Sequence, residues 1–285
     1  MGLSEDFYDM LRRADEHPEV MREAAEMVFS APADAESDGL LALMYHEGFG
    51  VERDLDKAFV HASRAAQADE GVALYLLGYM CENAETPDQA EGGPRQQYDH
   101  YDAERFMERC AATGSSWAEP AHLWLGDYYM NMARGGDPEV ALEHYEAIGH
   151  DNREAAGKLS DYYWEQLDYD EADEELAQKV FEWTHEAVRL DPAGFSFRMG
   201  ICYAEGIGCD ATRGFRLARK YWEDAFDFGD PDAADAIATL YEERMAMIAG
   251  DSAEAERERA HCRREMESWH RLAERARARQ RGEQV

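Results

Sequence analysis

Leu41-Ala42-Leu43-Met44-Tyr45-His46-Glu47-Gly48-Phe49-Gly50-Val51-Glu52-Arg53-Asp54-Leu55-Asp56-Lys57-Ala58 is the stretch whose reading decides the fold. Its first five residues run large apolar, small, variable, large, aromatic, and that pattern returns along the chain. It recurs as Leu77-Gly78-Tyr79-Met80-Cys81, Leu125-Gly126-Asp127-Tyr128-Tyr129 and Leu159-Ser160-Asp161-Tyr162-Tyr163. Two further copies read Met199-Gly200-Ile201-Cys202-Tyr203 and Ile237-Ala238-Thr239-Leu240-Tyr241. The fifth positions stand 36, 48, 34, 40 and 38 residues apart. A recurrence at this period marks a repeat architecture, in which no unit can bury its apolar face alone.

Each pattern belongs to a helix. Ala73, Ala121, Ala155 and Ala233 lie four residues before the first apolar position of their copies, which completes an i, i+4, i+7, i+8 face. The small column (Ala42, Gly78, Gly126, Ser160, Gly200, Ala238) needs a physical reason, because glycine inside a helix costs about 1 kcal/mol against alanine. Close approach of a partner helix supplies one. That partner follows each time, as in Ala58, His61, Ala65 and Ala66, or Ala141, His144, Tyr145 and Ile148. Gly114, Gly149 and Gly229 stop second helices, and Asp191-Pro192 turns the chain into the next pair.

The stretch from Tyr45 to Ala58 resembles the Sel-one-like repeat, a relative of the tetratricopeptide repeat. That family's pattern is Leu-Gly-x-Leu-Tyr-x-x-Gly-x-Gly-Val-x-x-Asp-x-x-Lys-Ala. The fifth copy keeps Gly200, Tyr203, Gly206 and Gly208, with Cys209 in place of the usual valine. Elsewhere the Gly-x-Gly turn is gone, and the likeness rests on the helix columns, over roughly residues 34–270. The resemblance implies an all-α fold: a right-handed α-α superhelix, or solenoid, of about six helix pairs with helical caps. It also implies a protein-interaction scaffold.

Residues 1–33 carry two amphipathic helices, broken at His17-Pro18, and are expected to cap the array over 34–250. Residues 251–285 hold one long Arg/Glu-rich helix, about 252–280, with the stripe Cys262, Met266, Trp269, Ala273, Ala276 and an Arg-rich tail expected to fray from 275. The 48-residue step comes from an insertion at about 82–100, where Pro87 and Gly92-Gly93-Pro94 argue for a loop.

Composition bounds the partners. Against 62 Asp+Glu stand 29 Lys+Arg, a net charge of −33, which repels nucleic acid and anionic lipid alike. Only Lys57, Lys158, Lys179 and Lys220 are lysines, a bias that fits either salt adaptation or a GC-rich genome. Five cysteines without a CxxC pair read as free thiols of a reducing compartment. The acidic start has no signal-peptide character, and no apolar run reaches the ~18–20 residues of a membrane span. A cytoplasmic protein is the expectation.

No HExxH, P-loop, GxSxG or zinc-spaced cluster is present, so no catalytic residue, metal or cofactor is expected. Helix-pair solenoids offer ligands a ridge of their first helices. The third pattern position and the residue three later fall there. They are Leu43 and His46, Tyr79 and Glu82, Asp127 and Met130, Asp161 and Trp164, then Ile201 and Ala204. Acids mixed with aromatic and apolar groups suit a peptide bearing basic and hydrophobic side chains, with Trp164 and Tyr79 as anchors. Packing against neighbouring repeats is the competing reading of the same residues. An adaptor holding a protein segment in an acidic groove is thus the first functional expectation. A small-molecule-binding or hydrolytic shell and a self-assembling module are the alternatives.

Overall fold

Wherever the large-small-large signature occurs, the chain forms the first helix of a pair. The computed structural model describes residues 2–14, 19–87, 100–167, 173–210 and 214–283. His17-Pro18 and most of the insertion lie outside the described residues. Fourteen α-helices run through those that are described. They are α1 (Leu3–Ala14), α2 (Val20–Ser30), α3 (Ala35–Glu47), α4 (Leu55–Ala65), α5 (Gly71–Glu82), α6 (His100–Ala111) and α7 (Ala118–Met130). The others are α8 (Pro138–Ile148), α9 (Arg153–Glu165), α10 (Glu174–Leu190), α11 (Pro192–Glu205), α12 (Gly214–Asp227), α13 (Asp232–Met247) and α14 (Ala253–Gln280). No described residue lies in a strand. The chain divides into two units, Met1–Ala147 and Ile148–Val285.

In the first unit the pairs are α1–α2, α3–α4, α5–α6 and α7–α8. Leu40, Met44, Leu74, Leu77, Met80, Met107 and Leu125 are fully buried between them. Each contributes roughly 1.5–3 kcal/mol by leaving water. The alanine columns Ala58, Ala62 and Ala65 let α4 lie close to its partner, and all are at 0% exposure. Polar caps set the helix starts. Asp34 accepts from Ser37 N at 2.9 Å while Ser37 Oγ accepts from Asp34 N at 3.0 Å, a reciprocal capping box.

The second unit stacks α9–α10, α11–α12 and α13–α14 around Leu159, Val180, Met199, Ile237 and Cys262. Helix α14 runs on to Gln280, past the point where fraying is expected from sequence. Arg277 ties it to Asp232 at 2.6 Å and Asp235 at 2.5 Å, and Gln280 Nε2 donates to Gly229 O at 3.0 Å.

Two details explain the spacing of the pairs. Within them, the fifth-position ring stacks on a ring of the second helix: Tyr45 on His61 at 5.6 Å, Tyr129 on His144 at 5.7 Å and Tyr203 on Tyr221 at 5.5 Å. Between pairs, the second glycine of the Gly-x-Gly turn makes the contact. Gly50 has φ +68°, and a Cβ there would meet Met21 O of α2 at 2.4 Å. Gly208 has φ +62°, and a Cβ there would meet Ala177 O of α10 at 2.2 Å. Backbone rides on backbone at both places. The α1–α2 segment has no repeat signature, yet α2 holds against Gly50 the position that α10 holds against Gly208. It packs as a helix pair in its own right.

Candidate functional site

The ridge residues read from the sequence divide sharply by burial. Leu43 is 7% exposed and belongs to the core cluster of the first unit. His46 is 5% exposed, with Nδ1 2.6 Å from Glu47 Oε1 and Nε2 2.9 Å from Glu85 Oε2. Glu85 also takes Arg53 Nη2 at 3.0 Å, and Arg53 Nε donates to His46 O at 2.7 Å. His46 is thus the centre of a polar joint and has no face left for a partner. For these two residues the packing alternative describes the structure, because the neighbouring pair closes over that side of α3.

Tyr79 does emerge. It is 40% exposed and meets the edge of His46 at 5.6 Å. Glu82 beside it is half-buried. Asp127 is exposed and accepts the Tyr145 hydroxyl at 2.5 Å, which ties α7 to α8, and Met130 is half-buried. In the second unit Ile201 is half-buried against the core cluster of α11–α14.

Asp161 and Trp164 are brought together around a residue that the ridge reading omitted. Arg198 of α11 pairs with Asp161 Oδ1 at 2.7 Å and donates through Nη1 to Ser160 Oγ at 2.8 Å. Its guanidinium carbon lies 5.1 Å from the Trp164 ring and 5.3 Å from the Phe195 ring. A planar cation between two aromatic faces, with a carboxylate at its edge, combines cation–π attraction with a charge-assisted hydrogen bond. The signal was present in the sequence: Arg198 stands three residues before Ile201, as Asp161 stands three before Trp164.

Beside this cluster an open groove of about 590 Å³ runs between α9 and α11. Arg153, Glu154, Gly157, Lys158, Asp161 and Phe195 line it. Gly157 presents no side chain, so the Phe195 ring forms part of the floor; a Cβ at Gly157 would lie 3.2 Å from it. Arg153 pairs with Asp191 at 2.7 Å and Lys158 with Glu154 at 3.4 Å. The groove carries both signs of charge, where the sequence suggested an acidic one. It combines an apolar floor, salt-bridged walls and an arginine-holding aromatic corner.

Other polar groups serve packing. His122 Nδ1 and His144 Nδ1 lie 3.0 Å apart, so one ring donates and the other accepts. Burial pushes both pKa values down, His144 to about 4. Burial also raises the Cys110 and Cys202 thiols to about 12. The described residues hold no group of three or more His, Cys, Asp or Glu that could bind a metal ion. No described helix is long and apolar enough to cross a membrane.

Comparison with known proteins places this geometry. The Sel1 repeat profile matches residues 36–70, 71–92 and 196–227, which include α3–α4, α5 and most of α11–α12. The fold is similar to that of a Sel1 repeat protein from Oxalobacter formigenes, with a TM-score of 0.52 and 19% identity over 90% of this chain and 99% of that one. It is also similar to c5321, a protective antigen of uropathogenic Escherichia coli strains that displays an SLR fold. There the TM-score is 0.50 and the identity 18%, over 90% of this chain and 55% of the other. No curated protein matches the chain in sequence. Three of its segments match the Sel1 repeat, and its helix pairs share the fold of these Sel1-repeat structures.

Proposed function

We propose that this chain is a scaffold that holds a polypeptide segment against its first-helix ridge, with the α9–α11 groove as the principal contact. Sel1-repeat proteins are in general protein-interaction scaffolds. The observation that supports this groove is the Arg198 cluster. The chain's own guanidinium rests between Trp164 and Phe195 against Asp161, and of these Asp161 and Trp164 are ridge residues expected to meet a partner. An extended segment lying along Gly157 and Phe195 would place an apolar side chain on the floor. It would place a basic one at the exposed side of Asp161. Lys158 and Arg153 would meet an acid further along.

The experiment compares captured partners of the wild-type chain with those of Asp161→Lys and Phe195→Ala, followed by calorimetric titration of the captured segment as a synthetic peptide. Loss of tenfold or more in affinity for both variants, with circular dichroism unchanged, is the expected result. Equal affinity for all three proteins would remove the groove from the reading.

A further inference from the structure

The last described helix breaks the charge pattern of the chain. Between Trp269 and Gly282 it and its cap carry Arg271, Arg275, Arg277, Arg279 and Arg281 against Glu274 alone, in a protein of net charge −33. Arg277 is held by Asp232 and Asp235, and Arg281 by Glu283. Arg271, Arg275 and Arg279 are exposed, and their side chains make no hydrogen bond or ion pair among the described residues. They stand four residues apart, one above the next on one face, with exposed Arg264 on the same line. The opposite side of α14 is committed to its partner helix through Cys262 and Ala273, at 1% and 0% exposure.

A complementary surface exists on the same chain. Helix α2 buries Val20, Ala24, Ala25 and Val28 and turns Glu23 and Glu26 outward. Neither carboxylate has a partner among the described residues. Phe29 follows at 53% exposure, and exposed Arg22 stands on the Glu26–Phe29 line, one turn before Glu26. Carboxylates beside an exposed aromatic face are what a guanidinium binds best, through paired hydrogen bonds and stacking. The faces are of similar length: about 9 Å from Glu23 to Phe29 against about 12 Å from Arg271 to Arg279.

We propose that the arginine face of α14 docks on the Glu23–Glu26–Phe29 face of α2 in a second copy of this chain. Such a contact joins unlike surfaces, so it leaves one of each free and propagates. The charge of the whole molecule disfavours nucleic acid as the occupant, and the burial of the apolar side of α14 leaves nothing to insert into lipid. Repulsion between the acidic bodies is screened beyond about 8 Å at physiological ionic strength, whereas the paired faces are in contact. The proposal uses helices outside the α9–α11 groove and does not rest on the scaffold reading.

Sedimentation velocity of the full chain from micromolar to near-millimolar concentration tests it. Reversible growth in mass is expected, weakened about tenfold or more at high salt, where the Debye length is about 3 Å. Two variants, Arg271→Glu/Arg275→Glu/Arg279→Glu and Glu23→Lys/Glu26→Lys, are each expected to stay monomeric with unchanged circular dichroism. Mixed, they are expected to associate again, because each restores a face of the sign that the other needs. A wild-type chain that is monomeric throughout overturns the proposal. So does association that the arginine substitutions leave intact, or an arginine face that binds only anionic vesicles or a DNA oligonucleotide.

Discussion

Gly126 lies directly beneath the ring of Tyr145: a Cβ at the glycine would come 2.3 Å from Cε1, and the tyrosine hydroxyl donates to the adjacent Asp127 at 2.5 Å. The same arrangement recurs at Gly200. A Cβ there would stand 2.2 Å from Trp222 Nε1, which donates to Phe197 O at 3.0 Å. Both aromatics are pinned by their polar ends, so neither can swing aside. Gly126→Val is therefore expected to cost about 1–3 kcal/mol through overpacking. Gly157→Ala faces only the far edge of Phe195 at 3.2 Å and recovers up to about 1 kcal/mol of helix propensity. Thermal melts should rank Gly126→Val well below Gly157→Ala, and equal melting points would show that the register is wrong.

These contacts explain what was legible in the sequence. A helix crossing that needs a missing side chain leaves a glycine or alanine at fixed spacing, and Ala42, Gly78, Gly126 and Gly200 could be read without coordinates. The exposure of the ridge could not. Whether Leu43 and His46 face solvent depends on how far the next pair closes over α3, and that follows from Glu85, beyond the end of α5. Arg198 escaped for a related reason. Its long side chain reaches from α11 to α9, so the residue that completes the site lies on a different helix from the two that were predicted.

Ser160 joins that site to the core. It is fully buried, accepts from Arg198 Nη1 at 2.8 Å and lies 3.1 Å from Thr184 Oγ1, itself at 0% exposure. Ser160→Ala takes one partner each from the buried Thr184 hydroxyl and the half-buried Arg198 guanidinium, which keep Cys202 and Asp161, a cost of about 1 kcal/mol. Adding Thr184→Val removes the hydroxyl that lost Ser160, together with its hydrogen bond to the Cys202 side chain. The double variant is expected to be more stable than the sum of the two single losses. A denaturant-melt cycle giving strict additivity would show that the two groups do not interact.

The cysteines should be inert in the native state. Cys81, Cys110, Cys202 and Cys262 are buried, and Cys209 alone is partly exposed, with Sγ 3.4 Å from Cys202 O. Burial lifts the thiols of Cys110 and Cys202 to about 12 and raises Cys209 as well, so almost no thiolate exists at neutral pH. Intact-mass analysis after iodoacetamide should show slow single labelling at Cys209, and five labels once the chain is unfolded. Rapid labelling of Cys110 or Cys202 would contradict the burial described.

The His122–His144 pair gives the fold a pH dependence with a definite sign. An unfolded histidine takes up its proton near pH 6.5. In the fold, burial first and the neighbouring His122 second hold His144 down to about 4. The stability contributed by its neutral form is therefore fully present above about pH 6.5 and is lost as the pH falls toward 4. His122 is shifted in the same direction. Tyr129, stacked on His144, donates to Glu104 at 2.5 Å, and Glu108 lies 3.2 Å from the same hydroxyl, so two carboxylates stand close to the pair. Protonation of acids across a chain of net charge −33 also relieves repulsion, which acts in wild type and variant alike. The measurement is therefore a difference: melting of His144→Gln against wild type from pH 7.5 to 4.5. The variant loses a ring contact at every pH, but its deficit should shrink by a few degrees as the pH falls through 6, because only the wild type then carries the cost of keeping a proton off the ring. A deficit that stays constant or widens would mean that His144 takes up its proton without cost to the fold.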